Sequence, residues 1–167
     1  KRQQKHISPK IIVLGNISPT AQLMLLNKLR ATTKPFVILD TMNYWINNNL
    51  AELNNVIENA DLMVINSEEA EQLTSTKDLD QAAQTLIKKG PRYVIIKKGN
   101  QGATAYSRKK NFSIKALKQE KVVDTTGAGD SFAGGLAGHL SNVREIRFDS
   151  IKEALYFATA AASICIE

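Results

Sequence analysis

Phe36-Val37-Ile38-Leu39-Asp40 and Leu62-Met63-Val64-Ile65-Asn66 are two short apolar runs, each closed by a polar residue, with a segment of helical period between them. Continuous apolar runs of this length, rich in β-branched residues, suit strands buried on both faces. Between them Leu50, Leu53, Val56, Ile57 and Ala60 recur at helical spacing, which predicts one helix from Tyr44 to Ala60. Strand, helix, strand is the unit from which parallel sheets are built.

The same alternation continues on both sides. Upstream, Ile11-Ile12-Val13-Leu14 reads as a strand, and Ser18-Pro19 opens a helix carrying Leu23, Leu26 and Leu29 that breaks off at Thr32-Thr33-Lys34-Pro35. Downstream, Asp78 to Lys89 places Leu79, Ala82, Ala83, Leu86 and Ile87 on one face, and two terminal lysines with Gly90-Pro91 give a stop signal. Tyr93-Val94-Ile95-Ile96 is a fourth strand. Gly99-Asn100-Gln101-Gly102 then turns the chain into Ala103–Tyr106 and Asn111–Ile114, expected as a hairpin. Val122-Val123 leads to Asp124, and Gly127 to Leu140 and Ser150 to Ile166 read as helices. The expected fold class is α/β, with a mainly parallel sheet covered by helices on both faces. Without an evident linker, residues 1–167 read as one domain or most of one.

Composition narrows the function classes. The 167 residues are 43% apolar, 23% charged and 6% aromatic, which fits a packed domain and argues against disorder or low-complexity sequence. The longest nearly apolar stretch, Ala154 to Ile166, has 13 residues and falls short of the roughly 20 that a bilayer crossing needs. No secretory signal is evident, and the single cysteine, Cys165, cannot close an internal disulfide, so a reducing, cytoplasmic setting with no membrane partner is expected. Cys165 itself reads as a small core residue. The net charge of +6 is spread over separate clusters such as Lys97-Lys98 and Arg108-Lys109-Lys110 and matches no nucleic-acid-binding signature. The chain opens at Lys1 rather than Met and closes within an apolar periodic stretch, so either end is expected to be cut from a longer polypeptide.

Ligands of open α/β sheets bind at the carboxyl ends of the strands. Asp40, Asn66, Glu69, Lys97, Gly99 and the segment from Asp124 to Asp130 all fall there. The densest signal is Asp124-Thr125-Thr126-Gly127-Ala128-Gly129-Asp130. Glycines at a helix start leave backbone N–H groups unshielded, and those donors with the helix dipole form an anion site that suits phosphate. Asp130, in the first turn, would then lie beside an anion, a place for a carboxylate that accepts a proton from an attacking hydroxyl. The plain alternative is a glycine-assisted helix start with an acidic residue complementing the dipole.

Other readings of this segment fail on spacing. A dinucleotide fingerprint needs a third glycine where Phe132 stands, and no P-loop Gly-Lys-Ser/Thr occurs. An esterase reading of Gly129-Asp130-Ser131 lacks its histidine: His139 is roughly 12 Å further along the helix, and His6 is in the polar N-terminal segment. Asn66 and Glu69, three apart where a strand meets a helix, suit water-mediated holding of Mg²⁺, or serve simply as a helix cap and its capping-box partner. The stripe Ser131, Gly134, Gly135 and Gly138 reads as close packing of the helix on neighbouring backbone.

Taken together and in this order, Asn66-x-x-Glu69, Lys97-Lys98-Gly99-Asn100-Gln101-Gly102 and Asp124-Thr-Thr-Gly-Ala-Gly-Asp130-Ser-Phe-Ala-Gly-Gly resemble the PfkB, or ribokinase-like, family of carbohydrate and nucleoside kinases. Asp40-Thr41-Met42-Asn43-Tyr44-Trp45-Ile46 is similar to a segment of some bacterial members. The resemblance implies an ATP-dependent phosphotransferase acting on an alcohol of a sugar or nucleoside. Asp130 would be the catalytic base, and the backbone donors of Gly127, Ala128 and Gly129 the anion hole. Asn66 and Glu69 would order Mg²⁺ and its waters, and Lys97, Gly99 and Gly102, with Asn66, would border the nucleotide. Asp124 and Thr126 would help hold a monovalent cation such as K⁺. Full members also carry an N-terminal half with a Gly-Gly sugar-binding segment and a small β lid, which has no counterpart here. The missing half is therefore expected from the same polypeptide or a partner subunit, and the isolated segment is expected to be inactive. A non-catalytic kinase-like scaffold, or a nucleic-acid-associated module, is the alternative reading of the +6 charge and the missing half.

Overall fold

The computed structural model describes residues 8–117 and 124–166, so the expected Val122-Val123 lead-in and His6 lie outside the described residues. Six strands form one sheet in the order β1 (Ile11–Leu14), β2 (Phe36–Asp40), β3 (Leu62–Asn66), β4 (Tyr93–Lys97), β5 (Ala103–Tyr106) and β6 (Asn111–Ile114). β1 to β4 are mutually parallel, and β5 and β6 add as antiparallel neighbours, so the expected hairpin is present.

Each parallel strand pairs with the next in sequence, so every crossover steps in the same direction. Right-handed crossovers then deliver all their helices to one face. These are α1 (Pro19–Arg30), α2 (Asn43–Asn48), α3 (Leu50–Glu58), α4 (Ser67–Thr74) and α5 (Leu79–Lys89). Leu26, Leu53, Ile57 and Leu86 from these helices pack with Val37, Leu39, Met63, Ile65, Val94 and Ile96 of the strands. The alternate strand residues Ile38, Leu62, Val64 and Ile95 face α6 (Ala128–Asn142) and α7 (Phe148–Cys165) through Phe132, Leu136, Ile151 and Leu155. Neighbouring side chains along a strand thus enter two different cores, which is why the runs carry no polar alternation. β1 forms one edge of the sheet, where Val13 is 40% exposed.

Several expectations change. The helix expected from Tyr44 to Ala60 is two helices, broken at Asn49 with φ −142° and ψ 43°. The cause lies in the Asn47-Asn48-Asn49 run: asparagine side chains compete for backbone groups, and Asn48 Nδ2 donates to the Tyr44 carbonyl at 2.7 Å. In α2 the Trp45 indole N–H donates to Asn16 Oδ1 at 3.1 Å. Of the small-residue stripe on α6, only Gly135 makes a close approach, since a Cβ there would lie 3.0 Å from the Phe157 carbonyl of α7, whereas Gly134 and Gly138 face open space. Cys165 is exposed rather than in the core. It follows the last buried turn of α7, and its Sγ lies 3.6 Å from the Thr126 carbonyl, beside the glycine segment.

Candidate active site

The parallel register brings Asp40, Asn66 and Lys97 to the same end of the sheet, because each is the last residue of its strand and Asn66 pairs directly with Lys97. α6 begins above them. Its N-cap is Gly127, with φ +80° and no side-chain capping bond. That left-handed backbone favours glycine. The Ala128 N–H is tied to the Thr125 carbonyl at 3.2 Å, whereas those of Gly127, Gly129 and Asp130 have no acceptor among the described residues. Three such donors at the positive end of a 15-residue helix can cradle an anion. Asp130 stands in the same first turn with its side chain exposed.

Lys97 is the hub of the site. Its ammonium lies 3.4 Å from Asp40 Oδ1, with the two side chains 23% and 14% exposed. It also lies 3.6 Å from where a Cβ on Gly129 would be. Burial pushes the Asp40 carboxyl above the ordinary range, the Lys97 charge draws it back, and Asp130 pushes it up further.

Asn66 and Glu69 form a complete capping box. The Glu69 N–H donates to Asn66 Oδ1 at 2.8 Å, and the Asn66 N–H donates to Glu69 Oε2 at 2.9 Å. Glu69 is 5% exposed. Burial raises its carboxyl, against the Asn66 N–H and the Lys97 charge. Beside the box a crevice of about 370 Å³ opens between Asn66, Ser67, Glu68, Lys97, Lys98 and Gly99. The larger cavity, about 480 Å³ between Arg30, Lys34 and Arg92, lies at the amino ends of β2 and β4, the opposite end of the sheet.

Gly99 and Gly102 bound the turn between β4 and β5. Gly102 has φ +91°, and a Cβ there would fall 2.0 Å from the Ile114 carbonyl, so β6 presses directly on it. Asp124 Oδ1 accepts from the Thr126 N–H at 2.9 Å, a bond that holds the Asp124 carboxyl below its usual range. No group of three or more His, Cys, Asp or Glu with metal-binding geometry occurs among the described residues.

Asp40 is the site residue to which sequence reasoning assigned no role. Its position at a strand end was visible, but its pairing with Lys97 across the intervening β3 was not. The available signal was one acidic strand terminus, Asp40, and one lysine terminus, Lys97, among the described strands.

The raised carboxyls of Asp40 and Glu69 carry a pH signature. Both hold their protons more tightly in the folded chain than in the unfolded one, so from pH about 4 upward the unfolded chain releases protons first and these groups' contribution to stability falls. Glu69→Gln keeps an acceptor for the Asn66 N–H. It is expected to raise the thermal midpoint near pH 7 and to leave it nearly unchanged near pH 3, as followed by circular dichroism. A midpoint lowered near pH 7 and unchanged near pH 3 would show the charge to be stabilising.

The family model for pfkB family carbohydrate kinases matches residues 6–167. The chain belongs to the pfkB family. Among curated pfkB relatives, a cytidine kinase of Thermococcus kodakarensis is 31% identical over 140 residues, covering 81% of this chain and 50% of that enzyme. A ribokinase of Arabidopsis thaliana is 32% identical over 120 residues, covering 68% of this chain and 30% of its own length. Of solved structures, aminoimidazole riboside kinase from Salmonella enterica, complexed with aminoimidazole riboside and an ATP analog, superposes with a TM-score of 0.81 at 25% identity, over 95% of this chain and 57% of that one. The chain therefore spans about half the length, or less, of these pfkB relatives. No helix among the described residues is long and apolar enough to cross a membrane.

Proposed function

We propose that this pfkB chain is the nucleotide-side portion of a kinase that moves the γ-phosphoryl group of ATP to a hydroxyl of a sugar or nucleoside. The observation that carries this reading is the start of α6: unpaired N–H donors at a glycine-opened helix end, with the exposed Asp130 carboxylate in the same turn. The donors bear on the charge that the equatorial oxygens of the phosphoryl group carry in transit. Asp130 takes the proton of the acceptor hydroxyl as the hydroxyl oxygen bonds to phosphorus, and the bond to the ADP oxygen breaks on the opposite side. The crevice bounded by Asn66, Lys97, Lys98 and Gly99 borders the nucleotide, with Gly102 shaping the turn behind it.

Mg²⁺ prefers oxygen ligands, keeps several waters and joins such sites through substrate phosphates. The groups present fit that mode, because the capping box engages only Asn66 Oδ1 and Glu69 Oε2 and leaves Glu69 Oε1 and the Asn66 side-chain amide nitrogen to meet the waters of a hydrated ion. They would hold hydrated Mg²⁺, which neutralises charge on the triphosphate. Asp124 and Thr126 are the candidates for a monovalent cation such as K⁺.

On this reading the acceptor-binding segment belongs to the part of the relatives' length that this chain does not span, so ATP turnover is expected to need such a segment in the same polypeptide or in a partner subunit. A coupled ADP-release assay over a panel of sugars and nucleosides tests this. ADP release dependent on the alcohol is expected from a polypeptide that joins this chain to such a segment, and none from residues 1–167 alone. A joined polypeptide that turns over no acceptor would defeat the reading.

A further inference from the structure

We propose that Asp40 is a positioning residue that holds the Lys97 ammonium beneath the mouth of α6, where Lys97 meets the transferring phosphoryl group; the inference rests on the phosphotransfer reading above. Lys97 ends β4 and Asp40 ends β2, with β3 between them. Neighbouring strands are about 4.8 Å apart, so the lysine reaches across the end of β3, over a span of roughly 10 Å, instead of extending outward into water. The reach brings its ammonium to 3.4 Å from Asp40 Oδ1, against the backbone of Gly129, whose N–H has no acceptor among the described residues.

This placement opposes ordinary helix electrostatics. A cation beside a helix N-terminus is repelled by the positive end of the dipole and by the free N–H groups. Asp40 is the ion-pair partner that holds it there. Two positive centres kept together at some electrostatic cost become favourable when an anion sits between them, and a phosphoryl group in transit is such an anion. Without Asp40 the dipole would push the ammonium outward into the nucleotide crevice, where it still attracts ATP but no longer faces the migrating group. The loss should therefore appear in kcat and not in the KM for ATP.

A double-mutant cycle in the ADP-releasing polypeptide decides the matter. Asp40→Asn is expected to lower kcat about 10- to 100-fold, as a misplaced catalytic group does, with the KM for ATP changed less than about threefold. Lys97→Met should lower kcat at least as much, and Lys97→Arg should recover part of the loss. The double variant should be no slower than Lys97→Met alone, because Asp40 then has nothing to aim. Losses that multiply would overturn the proposal, as would an Asp40→Asn loss that raised Mg²⁺ restores even in the Lys97→Met background. If Asp40→Asn does not fold, as judged by circular dichroism, the lysine variants carry the test, and an unchanged kcat in Lys97→Met overturns it. A wild-type polypeptide without turnover fails the phosphotransfer reading itself, whereas an active wild type with multiplying losses fails only the role of Asp40.

Discussion

Asp130→Asn in the ADP-releasing polypeptide is expected to lower kcat about 1000-fold and to leave the KM for ATP unchanged or slightly reduced. The amide has nearly the shape of the carboxylate, so the first turn of α6 and its free N–H donors stay in place. What is lost is the group that accepts the hydroxyl proton, which matters only as the new oxygen–phosphorus bond forms. Removing a negative charge from beside the phosphate cradle also lessens repulsion toward ATP, hence the direction expected for KM. Steady-state ADP release with a saturating acceptor measures it. An undiminished kcat would remove Asp130 from the chemistry and leave α6 as an anion site alone.

The largest stability effect is expected at Gly102. Its φ of +91° is a conformation that side-chain-bearing residues rarely adopt, and an added Cβ would lie 2.0 Å from the Ile114 carbonyl and 2.7 Å from the Ala116 nitrogen. Both groups are backbone, so relief requires moving the end of β6 away from Ala103, its partner on β5. Backbone strain and overpacking together are expected to cost Gly102→Ala about 3–5 kcal/mol. Gly99→Ala is the matched control. Its φ is +56°, but no atom lies within 4 Å of the would-be Cβ. Strain alone should cost that variant about 1 kcal/mol. Urea denaturation of the two variants checks both values, and equal losses would show that the contact with β6 does not matter.

The capping box shows how far a local motif can be read. An amide followed three residues later by a carboxylate at a strand-to-helix junction is legible as a cap because its hydrogen bonds close within one turn, and those bonds are present at Asn66 and Glu69. The depth at which Glu69 is buried was not legible, because it depends on the helices packed over α4. The continuous helix expected from Tyr44 to Ala60 failed for a related reason. Apolar spacing records which residues face the core, and α2 and α3 both present such residues, so the break at Asn49 left the pattern intact.

What the sequence by itself determined is the set of local events: four apolar runs that form parallel strands, their caps and stops, and a glycine-opened helix with an aspartate in its first turn. Hydrophobic period, turn chemistry and helix-end electrostatics act over a few residues, so they are written in neighbouring positions. The tertiary structure alone decided which groups meet across the sheet. Sequential pairing of β1 to β4 sends five helices to one face and leaves the other to α6 and α7, and only that arrangement brings the start of α6 over Lys97 and Lys97 across to Asp40. Residues 40, 97 and 129 are far apart in the chain, and what joins them is strand register and the reach of one lysine, quantities that exist only once the sheet has formed.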